Sequence, residues 1–495
     1  MSQIQVSNLT FAYEGTYDNI FENVNFQIDT DWKLGFTGRN GRGKTTFLRL
    51  MQGQLEYSGN IFASVEFEYF PYEVQHKEYL TIDVVAEVYP DYLHWQLVRE
   101  LNWLKLSEDV LYRPFDTLSN GEQTKVLLAA LFMKDNRFLL IDEPTNHLDM
   151  HARKLVAEYL NRKSGFILIS HDRAFLDRCV DHILSINKTN IEIQKGNFST
   201  WWENKERQDQ FELAQNEKLK RDVQRLSESA KRTSGWSHEV ESTKNGTRNS
   251  GSKVDKGYIG HKAAKMMKRS KVIEQRQQSA IEEKSKLLKN IETAESLQIS
   301  PLPFHKECLA ELDQVAISYG TEPVCRGVSF EIKPGERIAL SGANGSGKSS
   351  IMKLVCGEDI PYRGRFHKDA QLKISYVSQD TSHLRGDLSE YAKSHGVDES
   401  LFKSILRKLD FSRLQFEKDI STYSGGQKKK VLIARSLSER AHLYVWDEPL
   451  NFVDVISRMQ IEELLLQYAP TLLFVEHDSE FVSHVATKVI ELSNL

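Results

Sequence analysis

Cysteine is scarce in this sequence. Four occur in 495 residues, at Cys179, Cys308, Cys325 and Cys356, and none forms a C-x-x-C pair. That spacing argues against a disulfide framework or a thiolate metal site and fits reduced thiols in a cytoplasmic setting. Long hydrophobic runs are missing too: no window approaches the ~18–20 apolar residues of a membrane span. The N-terminus, MSQIQVSNLTFAYEG, has neither a basic region nor an apolar core, so no secretory signal is expected. Neither sign of charge dominates, since the net charge is −4, and overall charge therefore points to no class of partner. Proline is absent from residues 201–300, and Pro301 with Pro303 closes that interval.

What is present is a repeat. GRNGRGKTT near residue 40 returns as GANGSGKSS, LSNGEQ returns as YSGGQK, FLLIDEPTNHLD as LYVWDEPLNFVD, and SHD as EHD. The four motifs keep their order at offsets of 304 to 306 residues, which marks a tandem duplication. Each copy reads as α/β, because apolar β-type runs such as GFILIS and TLLFVEH alternate with helical patterns such as TKVLLAALFMK. The expected domains are residues 1–200, a connecting segment 201–305, and residues 306–495. In the connector, Leu219, Val223, Leu226 and Ala230 follow a 4-3-4 spacing, and Ile273, Ala280, Leu287 and Ile291 a coarser heptad. This pattern predicts a long antiparallel helical hairpin whose first helix runs from Trp201 to Lys231. At 1.5 Å per residue that helix is on the order of 45 Å long.

The repeated motifs carry phosphate chemistry. Gly38, Asn40, Gly41, Gly43, Lys44, Thr45 and Thr46 match Gly342, Asn344, Gly345, Gly347, Lys348, Ser349 and Ser350 in a G-x-x-x-x-G-K-[ST] pattern. Glycines let the loop curl its N–H groups around phosphates, the lysine reaches the terminal phosphates, and the hydroxyl of Thr45 or Ser349 suits Mg²⁺. Asp142 and Asp447 end apolar strands, where a carboxylate orients the metal. Glu143 and Glu448 follow directly, and each is a candidate general base for an attacking water. ATP and Mg²⁺ are the expected substrate and cofactor of an ATPase.

Together these motifs resemble the ATP-binding-cassette superfamily. The resemblance implies two tandem P-loop cassettes that sandwich two ATP molecules head to tail, as an intramolecular dimer within one monomer. It pairs Lys44 with Ser424, Gly425, Gly426 and Gln427, and Lys348 with Ser119, Gly121 and Glu122. It further makes His171 and His477 switch histidines, Gln379 a Q-loop glutamine approaching the metal, and Tyr13 and Tyr319 stacking partners for adenine. The copies depart from the pattern differently. Tyr72 stands at the Q-loop position of copy one, Asn120 replaces a signature glycine, and Tyr423 replaces the signature leucine. The two sites are therefore expected to be inequivalent.

Two cassettes joined by about 100 helical residues, with no membrane segment, resemble the ABC-F class, and RNGRGKTT, W-D-E-P-L-N and MKRSK look most like its Lsa-type antibiotic-resistance proteins. The resemblance implies binding of the 70S ribosome at the E-site. It also implies insertion of the linker toward the peptidyl transferase centre, near 23S rRNA and P-site tRNA, and protection from lincosamides, pleuromutilins and streptogramin A. Charge fits independently: residues 231–271 carry eleven Lys/Arg against three acids, or +8, which leaves −12 for the remainder. A basic tip at about 232–262 suits a structured polyanion. Trp236, Lys244, Arg248, Lys253, Val254, Lys256 and Tyr258 are the RNA-contact candidates. A housekeeping translation factor, an efflux ATPase and a DNA-maintenance ATPase stay open as alternatives.

Overall fold

The computed structural model describes residues 2–13, 19–134, 136–146, 148–187, 190–242, 296–319, 322–343 and 345–492, together with positions 265, 268, 272, 275 and 276. The chain divides into two compact units, Met1–Trp201 with Ala294–Leu495, and Trp202–Thr293. The first unit holds both copies of the repeat, and each copy is the expected α/β cassette.

In copy one, strands ordered Glu66–Phe70, Arg137–Asp142, Phe166–Ile169, Lys33–Thr37 and His182–Asn187 pair in parallel, and Asn190–Lys195 joins the edge antiparallel. Copy two repeats the parallel part as Ile374–Val377, Leu443–Asp447, Leu472–Val475, Arg337–Ser341 and Lys488–Glu491. The central strands are uniformly apolar because helices cover both faces, as parallel sheets require. A three-stranded antiparallel sheet flanks each: Phe21–Asp29, Gln3–Phe11 and Ser58–Ala63 in one, and Glu322–Ile332, Ala310–Tyr319 and Tyr362–Lys368 in the other.

The helix that follows each P-loop, Lys44–Met51 or Lys348–Cys356, is fixed between the two sheets. In copy one Phe47 anchors it, with ring centroids 5.4 to 5.9 Å from Phe21, Phe26 and Phe36. The helical pairs Thr81–Val88 with His94–Trp103, and Leu388–Ser394 with Glu399–Lys408, are alike in size, so neither cassette carries a long insertion there.

The linker departs from expectation at both ends. Asn197 Oδ1 caps it, accepting from Thr200 N at 3.0 Å and Thr200 Oγ1 at 2.7 Å, and the helix runs Phe198–Ser242 for 45 residues. It passes through Gly235 and Trp236, so the expected tip begins as helix. One glycine costs a helix only about 1 kcal/mol, too little to stop one this long. Lys244, Arg248, Lys253, Val254, Lys256 and Tyr258, and most of the second hairpin helix, lie outside the described residues. At the other end, Leu297 and Ile299 are buried in the core of cassette two, and Leu302 N bonds Ala441 O at 2.8 Å. Residues 296–305 thus belong to that cassette.

Ion pairs cross between the cassettes. Arg173 Nη2 donates to Glu462 Oε2 at 2.5 Å, Arg173 Nε lies 3.4 Å from Glu480, and His484 Nδ1 holds the other oxygen of Glu462 at 2.6 Å. Copy two has Ser479 where copy one has Arg173, so the repeat supplies no second pair of this kind at that position. Arg173→Met, which leaves Glu462 buried with half its charge partners, is expected to cost about 3–5 kcal/mol. Adding Glu462→Met should recover most of that loss, and urea unfolding of the single and double variants measures both.

Candidate functional site

Parallel pairing brings the P-loop, the Asp–Glu strand end and the histidine loop of each cassette to one edge. Backbone geometry shapes them. Gly43 has φ of +96°, and a Cβ there would lie 2.5 Å from Ile20, so only glycine lets the loop close. Glu143 and Glu448 both adopt a left-handed backbone, φ of +51° and +47°, held by bonds from their N–H groups to Ile169 O at 2.9 Å and Val475 O at 3.1 Å. A non-glycine residue resists this conformation, and its recurrence in both copies aims the carboxylate toward the P-loop.

Both lysines are buried and bonded to their own loops. Lys44 Nζ donates to Gly38 O at 2.6 Å and Arg39 O at 3.2 Å, and Lys348 Nζ to Gly342 O and Ala343 O at 2.8 Å. Burial lowers the pKa of each, against the pull of neighbouring carboxylates. Thr45 Oγ1 donates to Asp142 Oδ2 at 2.9 Å, and Ser349 bonds Asp447. Asp447 Oδ1 is buried without a hydrogen-bond partner, an acceptor of the kind a cation satisfies. A hydroxyl beside one carboxylate fits Mg²⁺, which keeps waters and phosphates as its other ligands. Among the described residues no group of three His, Cys, Asp or Glu forms a dedicated metal cage.

Tyr13 and Tyr319 are 41% and 54% exposed, and their hydroxyls lie 2.9 Å from Thr46 Oγ1 and 3.2 Å from Ser350 Oγ. Each hydroxyl thus reaches the P-loop helix, and the Tyr13 ring meets Phe11 edge-on with centroids 5.0 Å apart. Ser119 and Ser424 are N-caps of the helices Asn120–Leu131 and Gly425–Ser438, in capping boxes closed by Glu122 and Gln427. Those two acceptors are therefore engaged in shaping the signature turn. Asn344 lies outside the described residues.

Cassette two closes over the first site. Asn40 Nδ2 donates to Phe452 O at 2.7 Å, and a Cβ on Gly426 would lie 2.9 Å from the same nitrogen. Arg39 and Arg42 approach Asp410 at 3.6 and 3.7 Å. Beside the second P-loop lies a cavity of about 200 Å³, lined by Asp149, Met150 and His151 of cassette one and Gly342, Lys348 and His477 of cassette two.

The two glutamates meet opposite surroundings. Burial, reinforced by the neighbouring Asp142, pushes Glu143 up to about 8, and its Oε1 has no hydrogen bond although His171 Nε2 is 3.4 Å away. Burial followed by repulsion from Lys44 and Arg458 drives His171 well below its usual value, so it faces Glu143 as a neutral ring. Burial opposes ionisation of Glu448 as well. There the bond and charge of His477, at 3.3 Å, the bond from Gln379 Nε2 at 2.9 Å and the charge of Lys429 outweigh it and hold the carboxyl at about 2. Asn451 Nδ2 adds a bond at 2.5 Å. Tyr72, half-buried at the glutamine position of copy one, supplies no such amide. In its cassette a different tyrosine, Tyr69, donates to Asp142 Oδ2 at 3.1 Å. The motif reading missed Tyr69, Asn451 and Lys429. For Lys429 the repeat was the available signal, since it aligns with Thr124, whereas Tyr69 and Asn451 keep the same residue type in both copies.

A protein-family model described as ABC transporter matches residues 21–146 and 325–451. The ribosome protection protein VmlR of Bacillus subtilis (strain 168) is 27% identical over 98% of this chain and 86% of its own length. The probable ATP-binding protein YbiT of Escherichia coli O157:H7 is 25% identical over 98% and 95%. ABC transporter F family member 2 of Arabidopsis thaliana is 23% identical over 99% and 76%. Among solved structures, the archaeal ribosome recycling factor aABCE1, in complex with stalk protein aP1, superposes with a TM-score of 0.63 at 19% identity, covering 99% of this chain and 88% of that one. That likeness establishes the shared fold.

The glutamate contrast predicts a stability difference in protein free of nucleotide and Mg²⁺. Folded Glu143 keeps its proton to about pH 8, whereas an unfolded glutamate releases it near 4.5, so its contribution is full below 4.5 and is lost as pH rises through 8. For Glu448 the sign reverses: the contribution is full above 4.5 and is lost as pH falls through about 2. Glu143→Gln should therefore stabilise the protein at pH 8, on the order of 1–3 kcal/mol, and much less at pH 5. Glu448→Gln should destabilise it at both values. Thermal unfolding at the two pH values checks both signs.

Proposed function

This chain belongs to the ABC transporter family and, within it, to the ABC-F class of ATPases, and on that premise we propose that it is an ATP-dependent ribosome protection protein. The carrying observation is the relative VmlR, named a ribosome protection protein and aligned along nearly the whole chain, linker included. The basic stretch at residues 231–271 supports the same reading, because affinity for structured RNA rests first on phosphate contacts. No helix among the described residues is long and apolar enough to cross a membrane, so nothing described supplies the spanning part of an efflux system.

In the proposed cycle, ATP binds each P-loop through backbone N–H groups and through Lys44 or Lys348, which exchanges loop carbonyls for phosphate oxygens. Thr45 with Asp142, and Ser349 with Asp447 and Gln379, would hold Mg²⁺, which supplies charge neutralisation at the transferring phosphoryl group. Ser424, Gly425 and Gly426 reach the nucleotide on Lys44 from across the interface, and Ser119 and Gly121 reach the one on Lys348. Glu143 and Glu448 accept a proton from the attacking water, beside His171 and His477. The closed monomer binds the 70S ribosome at the E-site with the linker directed toward 23S rRNA at the peptidyl transferase centre and P-site tRNA. Protection extends to lincosamides, pleuromutilins and streptogramin A, in the manner of the Lsa-type proteins, and hydrolysis releases the protein. Trp236, Lys244, Arg248, Lys253, Val254, Lys256 and Tyr258 are assigned the RNA contacts.

Before nucleotide and Mg²⁺ bind, Glu448 is ionised and Glu143 carries its proton. With both replaced by glutamine, the protein should co-sediment with ribosomes in ATP, and wild type should be released. In toeprinting of drug-stalled translation, wild-type protein should relieve arrest by a lincosamide and a pleuromutilin, and deletion of residues 243–262 should abolish relief while sparing ATP hydrolysis. Ribosome trapping without relief of any drug would assign a housekeeping translation factor instead. Absence of trapping would overturn the ribosome reading.

A further inference from the structure

Lys429 is one of the least exposed charged residues of cassette two, at 3% exposure, and it lies one turn into the helix Gly425–Ser438. Its Nζ donates to Ser378 O at 3.0 Å and to Asp447 O at 3.4 Å. Each acceptor is the carbonyl immediately before a working side chain, since Gln379 follows Ser378 and Glu448 follows Asp447. Those two side chains in turn meet each other, Gln379 Nε2 to Glu448 Oε2 at 2.9 Å. One ammonium thus ties together the two backbone segments that set the distance between the amide and the carboxylate. A buried ammonium is costly unless hydrogen-bonded, so this lysine binds both carbonyls firmly. The carboxylates facing it are Glu476, Asp447, Glu448 and Asp380.

Cassette one lacks the device. Thr124 occupies the equivalent position, too short and uncharged to bridge the same carbonyls, and Tyr72 replaces the glutamine that the bridge would position. Lysine and glutamine occur together in one copy and are missing together from the other.

The geometry points to Lys429 as a positioning residue of the second ATP site, which holds Gln379 against Glu448 and makes this site the faster of the two. The inference rests on the reading of Glu448 as the base of that site.

The test uses the full-length Glu143→Gln protein, in which the second site carries the steady-state ATP hydrolysis. Lys429→Met in that background should lower kcat by about tenfold to a hundredfold, the range a misplacement near 1 Å produces, with KM for ATP changed by less than about twofold. Lys429→Arg keeps a cation in reach of both carbonyls and should restore most of the rate. Lys429→Gln serves in place of the methionine variant if the latter does not fold. An unchanged kcat, a rise in KM alone, or an arginine variant as slow as the methionine one would each overturn the assignment. Glu448→Gln in the same background separates the two ideas. If it leaves the rate intact, the base reading and this inference both fall; if it abolishes the rate while Lys429→Met does not lower it, only this inference does.

Discussion

In a parallel sheet every strand delivers its C-terminal end to the same edge, and in each cassette that edge gathers the P-loop, the acidic pair and the histidine. Lys33–Thr37 feeds the P-loop, Arg137–Asp142 ends in the acidic pair, and Phe166–Ile169 leads to His171, with the second copy in the same register. The order of strands puts Phe166–Ile169 between the other two, so groups about 100 residues apart in sequence meet within hydrogen-bond range. The bond from Thr45 to Asp142 is the direct expression of this constraint.

Crowding a lysine, two acids and a histidine at one buried edge creates an electrostatic problem that the copies solve differently. Low dielectric penalises every isolated charge there, so ionisation depends on how many partners each group has. Copy two surrounds Glu448 with His477, Gln379, Asn451 and Lys429, and the carboxylate stays ionised. Copy one offers Glu143 a neutral His171 and an adjacent Asp142, and the proton stays on. The bond and charge of His477 make the largest contribution to keeping Glu448 ionised, and Gln379 and Lys429, which copy one replaces with Tyr72 and Thr124, add to it. The duplication has kept the backbone and altered the proton affinity.

The helix Gly425–Ser438 meets both P-loop regions. Its first turn places Gly426 against Asn40 of the opposite P-loop, and its second places Lys429 beneath Asp447 of its own cassette. A contact with the opposite P-loop and a bond to the acidic strand end of its own cassette are thus carried by a single helix. Arg173 adds an ion pair to Glu462 that has no counterpart from Ser479 in copy two.

The fold and most of the site were legible because they rest on local pattern: glycine spacing in the P-loops, apolar strands ending in acids, and a constant repeat offset. What escaped depends on partners distant in sequence. Leu297 and Ile299 look like linker until the core of cassette two is seen to need them. The apolar spacing that ends the first helix at Lys231 stops short, because one glycine at 235 costs little beside a helix of 45 residues. Lys429 lies in a run of three lysines, and no motif singles it out. Only its neighbours distinguish it: Lys430 is bonded to Asp454 at 2.6 Å, whereas Lys429 points to two backbone carbonyls of the reacting edge. Identical residue types side by side therefore hold different parts of the machine, one the interface loop and the other the bond between Gln379 and Glu448.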